Sequence, residues 1–98
     1  MTPRVPARVE PVWHLYVIRS SDREALRSSL AKRGIETGIH YPIPVHLQPG
    51  LEGHAWRAEG GLETTEALAR EVLSLPLYPE LGEEGVDRVC SAIERAIA

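Results

Sequence analysis

The chain has 98 residues, 43% of them hydrophobic, enough for the modest core of one small domain without metal or disulfide staples. Eleven Lys and Arg against fourteen Asp and Glu give a net charge of −3, and the basic residues are scattered rather than clustered, which argues against a nucleic-acid surface. The single cysteine, Cys90, excludes an internal disulfide and a cysteine-based zinc site and is compatible with a reducing cytoplasm, while no apolar run approaches the roughly 20 residues of a membrane span and the N-terminus lacks the apolar core of a signal peptide.

Residues 1–11, "MTPRVPARVEP", hold three prolines and scattered arginines and read as an extended lead-in. "VWHLYVIR", residues 12–19, is rich in aromatic and β-branched residues and predicts a strand, with Trp13, Leu15 and Val17 on one face and Val12, His14, Tyr16 and Ile18 on the other. Residues 20–34 predict a short amphipathic helix. Ser21 and Glu24 have the spacing of a capping box, Leu26 and Leu30 share a face, and Gly34 supplies a stop. "IETGIH", residues 35–40, predicts a short second strand.

Residues 42–50 carry Pro42, Pro44 and Pro49 and cannot form a central strand, because proline has no N–H for the ladder. The glycine-rich stretch 50–61 predicts a surface loop, with Trp56 as a candidate anchor. From residue 62 the pattern turns helical, with Leu68, Val72 and Leu73 at helical spacing, and "LSLPLYP" then predicts a strand of about four residues. The final helix is the most regular. Val86, Val89, Cys90, Ile93 and Ile97 form its expected apolar stripe, and Gly85 weakens its first turn by about 1 kcal/mol relative to alanine. The order strand, helix, strand, long loop, helix, strand, helix implies an α+β domain: a small, mostly antiparallel sheet with helices packed on it. So few short strands are marginal alone, so a face or edge of the sheet is expected to meet something else.

The chemistry concentrates in "GIHYPIPVHLQP", residues 38–49. His40, His46 and His54 fall within fifteen residues, but their spacings of six and eight match no common zinc motif. Three roles stay open for them: orienting hydrogen bonds in a ligand cleft, satisfying loop carbonyls, and, least favoured by the spacing, holding a metal. Cys90 lies on the expected apolar stripe and reads as a small core residue, not a nucleophile. No G-x-S-x-G setting and no glycine-rich phosphate loop is present, and Glu83 and Glu84 suit the start of a helix.

"HLYVIR", "GIETGIHYPIPVHLQP" and "EALAREVLSLPLYPEL", in that order, closely resemble the C-terminal part of the DegT/DnrJ/EryC1/StrS group of PLP-dependent aminotransferases, over about residues 10–97. The resemblance implies the small C-terminal domain of a fold type I enzyme that aminates a keto-sugar carried on a nucleotide. Residues 12–98 would be that domain, and the large PLP-binding domain would be missing. The lone lysine, Lys32, at the end of a capped helix, does not match the family's cofactor lysine, so no PLP chemistry is expected of the chain alone. The resemblance also implies a homodimer with shared active sites when full length, and the cytoplasm is the expected location. It carries over His40 and Tyr41 as substrate contacts, with His46 and Gln48 as further candidates, on a loop whose stiffness keeps polar groups aimed at a hydroxyl-rich sugar. Tyr41 or His46 bonding only loop backbone is the competing role. The sequence departs from the family pattern at Glu63 and Thr64, before the middle helix, and at Gly82, where a Ser or Thr cap is usual. Two other readings stand beside a domain of such an enzyme: a binding module for a nucleotide-sugar or a protein, and a piece that pairs with a separately encoded PLP domain.

Overall fold

The computed structural model describes residues 1–54 and 60–98. Its sheet has two antiparallel strands, β1 (Tyr16–Arg19) and β2 (Val72–Leu75), with Tyr16 opposite Leu75 and Ile18 opposite Leu73. Three helices complete it: α1 (Arg23–Ala31), α2 (Glu63–Glu71) and α3 (Gly82–Ile97). This is the expected α+β arrangement. Alternation along the strands sends Tyr16, Ile18, Leu73 and Leu75 to one face. There they join Leu26 and Leu30 of α1, Ile35, and Val89 and Ala92 of α3 in the core. Leu30 and Leu73, each with 0% exposure, are its most enclosed side chains.

β1 is shorter than expected, since residues 12–15 do not pair. The far edge of β1 meets the start of the chain instead: Met1 N donates to the Arg19 carbonyl at 2.8 Å, and Arg19 N donates to the Met1 carbonyl at 2.9 Å. The expected strand at 35–40 contracts to one antiparallel bridge between Gly38 and Ser74. The reason lies on both sides of it. Ile35 N still bonds the Leu30 carbonyl as the chain rounds the end of α1, and Pro42 and Pro44 prevent further ladder bonds beyond.

Gly34, at φ +72°, makes the left-handed stop that turns Ile35 back under Leu30. The cap of α1 is one residue later than the capping box suggested. Asp22 accepts from Ala25 N at 3.3 Å, and Glu24 pairs with Arg23 and Arg27. α2 passes into β2 without a loop, so Val72 and Leu73 belong to the strand, not to the helical stripe expected with Leu68. Arg19 clamps that junction, donating from Nε (2.9 Å) and Nη2 (2.6 Å) to Glu71 Oε2.

The stripe of α3 differs from the expected one. Val89 and Ala92 are buried and Ile93 and Ala96 pack against the core, whereas Val86, Cys90 and Ile97 are exposed. At 100° per residue these three lie on a flank, about 80° round the axis from the buried row. Cys90 is therefore a surface thiol, not a core residue. Gly85 has a packing reason: a Cβ there would lie 2.6 Å from Leu81 Cδ1. Among the described residues no helix is long and apolar enough to cross a membrane.

Leu73→Ala is expected to lower unfolding free energy by about 2–5 kcal/mol, because it opens a cavity in the most enclosed part of the core. Ile97→Ser, on the exposed flank, is expected to change it by no more than about 0.5 kcal/mol. Urea titrations of both variants, followed by circular dichroism, measure the difference. Equal losses would show that α3 packs through the larger apolar stripe after all.

Candidate functional site

The site is built where the loop after Gly38 leaves β2. Ser74 N donates to the Gly38 carbonyl at 2.7 Å and Gly38 N to the Ser74 carbonyl at 3.0 Å, so the loop starts from a fixed register on the strand. Alternation turns Ser74 away from the face that carries Leu73. Its side chain meets His40, with Nδ1 2.8 Å from Ser74 Oγ. Gly38 makes room for the imidazole, since a Cβ there would lie only 2.6 Å from His40 Cε1. The Tyr41 ring stands edge-on to His40 with centroids 5.4 Å apart, across a cis peptide bond. His40 is exposed and Tyr41 is 73% exposed. Neither His40 Nε2 nor the Tyr41 hydroxyl has a hydrogen-bond partner among the described residues.

Beyond Tyr41 the prolines set two short 3-10 turns, Val45–Leu47 and Pro49–Leu51. Gln48 Nε2 donates to the Ile43 carbonyl at 3.1 Å and closes the first turn on itself. His46 points inward, its side chain 7% exposed and its Nε2 2.9 Å from Glu66 Oε1 on α2. The four sequence-derived candidates thus divide. His40 and Tyr41 offer polar atoms to the outside, whereas His46 Nε2 and Gln48 Nε2 are each bonded within the protein. His14 and His54 are exposed, and Trp56 lies outside the described residues. Among the described residues no three His, Cys, Asp or Glu side chains come together to hold a metal ion.

Sequence reasoning missed Ser74 and Glu66. Ser74 had a signal, as the one polar residue in the run "VLSLPL". Glu66, on an amphipathic helix with acidic neighbours, had none. Both act only through folding, because they lie 34 and 20 residues from their histidines.

Around this loop the exposed side chains are mainly apolar: Ile43, Val45, Leu47 and Leu51. Such a rim, with two free polar groups at its start, suits contact with a polar ligand held against a second surface. A Schiff-base cofactor does not fit the residues of this chain. Lys32, its lone lysine, is exposed as the C-cap of α1.

The DegT/DnrJ/EryC1/StrS aminotransferase family model matches residues 1–94. The chain is 49% identical over 84 residues to dTDP-3-amino-3,4,6-trideoxy-alpha-D-glucose transaminase of Streptomyces venezuelae, a match that covers 86% of this chain and 22% of that protein. Its fold superposes on an aminotransferase of the same family from Brucella abortus with a TM-score of 0.89 and 36% identity, covering 96% of this chain and 25% of that one. NtdA from Bacillus subtilis, solved with bound cofactor PMP, gives a TM-score of 0.74 at 33% identity over 87% of this chain and 20% of its own. The chain therefore spans about a quarter or less of the length of the relatives it matches. By the full extent of the family match and by its fold, this chain belongs to the DegT/DnrJ/EryC1/StrS aminotransferase family.

Proposed function

We propose that the chain is the C-terminal small domain of a PLP-dependent aminotransferase that aminates a nucleotide-linked keto-sugar, and that it closes over the sugar without holding the cofactor itself. The observation that carries this reading is the exposed pair His40 and Tyr41 at the start of a loop clamped on both sides, through Ser74 on β2 and through His46 to Glu66 on α2. A prearranged loop loses little entropy when a ligand arrives, so hydrogen bonds to sugar or phosphate oxygens are retained as affinity. Family membership and a relative named as a nucleotide-sugar transaminase support the substrate class. In this reading PLP chemistry comes from a large domain outside these 98 residues, the active enzyme is a homodimer, and it works in the cytoplasm, which a single exposed thiol fits. His40 and Tyr41 contact substrate, while His46 and Gln48 shape the loop that presents them.

The test uses the full-length polypeptide that carries this domain. His40→Ala and Tyr41→Phe are each expected to raise KM for the nucleotide keto-sugar about 5–30-fold, the equivalent of about 1–2 kcal/mol for a lost hydrogen bond. The half-reaction with the amino donor alone should keep its rate. Unchanged KM values for both variants would remove the loop from the substrate site.

His46→Ala is expected to act differently. Loss of the Glu66 contact should loosen residues 43–52 locally, so their backbone amides exchange at least tenfold faster while the core amides of Leu30 and Leu73 hold their rates. Hydrogen exchange read by mass spectrometry or NMR makes the comparison. Uniform acceleration across the chain would mean that His46 supports the whole fold rather than the loop.

A further inference from the structure

Ser74 is the buried polar residue among the described residues, at 4% exposure, and sits in an otherwise apolar strand. Its backbone N–H and carbonyl are both committed to Gly38, so its side chain has a fixed origin. A hydroxyl taken out of water must still donate its proton, and leaving that proton unbonded is costly. Among the described residues the side chain has one hydrogen-bond partner, His40 Nδ1 at 2.8 Å, and no buried side-chain polar atom is left without one. If Nδ1 carried the ring proton, it would donate to Oγ and the hydroxyl proton would have no acceptor. If Nδ1 is bare, the hydroxyl donates to it and both groups are satisfied.

We infer that Ser74 is a positioning residue that fixes the tautomer of His40. Ser74 Oγ–H donates to Nδ1, and the neutral ring carries its proton on Nε2. Gly38 completes the device by letting the ring lie against the backbone, where a Cβ would displace it. The exposed end of His40 is then an N–H donor, not a proton acceptor. Its chemical partner is an oxygen that accepts hydrogen bonds, a phosphate or a sugar oxygen. His40 orients substrate and does not act as a general base. The substrate part rests on the function proposed above, but the tautomer does not.

The experiment is a long-range proton–nitrogen NMR correlation on the 15N-labelled 98-residue chain, at a pH about two units above the ordinary histidine range so that the rings are neutral. The unsubstituted chain is expected to show His40 as one tautomer, with a bare Nδ1 and a protonated Nε2. Ser74→Ala should give a mixture of tautomers, and Ser74→Thr, which keeps the hydroxyl, should restore one. A protonated Nδ1 in the unsubstituted chain overturns the inference without need of any variant, as does a His40 signal that Ser74→Ala leaves unchanged. In the full-length enzyme Ser74→Ala should raise KM for the nucleotide keto-sugar about as much as His40→Ala. If the tautomer is as inferred but His40→Ala has no effect on KM, the positioning stands and the substrate reading falls.

Discussion

The structure depends on the two-sided use of β2. Leu73 and Ser74 are neighbours on one short strand and point to opposite faces. Leu73 is wholly enclosed among Ile18, Leu30 and the α3 side chains. Ser74 grips Gly38 with its backbone and His40 with its hydroxyl. Because the side-chain period of a strand is two, a slip of one residue would turn the leucine out of the core and break the histidine contact together. Burial of the core therefore sets the register that builds the site. The same free energy that folds the domain aims the imidazole.

Other contacts hold the frame around that strand. Arg23 Nη1 donates to the Ala69 carbonyl at 2.6 Å and ties the first turn of α1 to the end of α2. Arg19 and Glu71 close the adjacent edge of the sheet. The loop is held by His46 on Glu66, by Gln48 on the Ile43 carbonyl and by its own two 3-10 turns. Its apolar rim faces outward. The radius of gyration, 15.9 Å, exceeds the about 13 Å of a compact chain of this length. A two-stranded sheet is marginal alone. Here helices cover one face, and Met1 and Gly38 extend its hydrogen bonding at the two edges.

Legibility varied with the range of the interaction. The helix stop at Gly34 and the short strand after α2 are local, and both stood in the sequence. The loop prolines excluded a central strand, and none formed. Hydrophobic spacing alone does not locate the buried stripe of α3. Ala92 is buried and Ile97 is 69% exposed, since what counts is which face meets α1 and the sheet. The strand expected at 35–40 failed for a similar reason. Its β-branched residues favour extension, but the chain's path from α1 to the loop leaves room for one bridge.

By itself the sequence determined the α+β class, the family to which the motifs belong, and the concentration of polar groups on a stiff loop, because proline, glycine and hydrophobic period act over a few residues. Only the tertiary structure decided which of those groups look outward. His40 and His46 are both loop histidines six residues apart, and nothing local distinguishes them. The difference comes from Ser74 and Glu66, residues far along the chain that packing brings to each ring. One ring is held at its edge and left exposed, and the other is drawn under the loop.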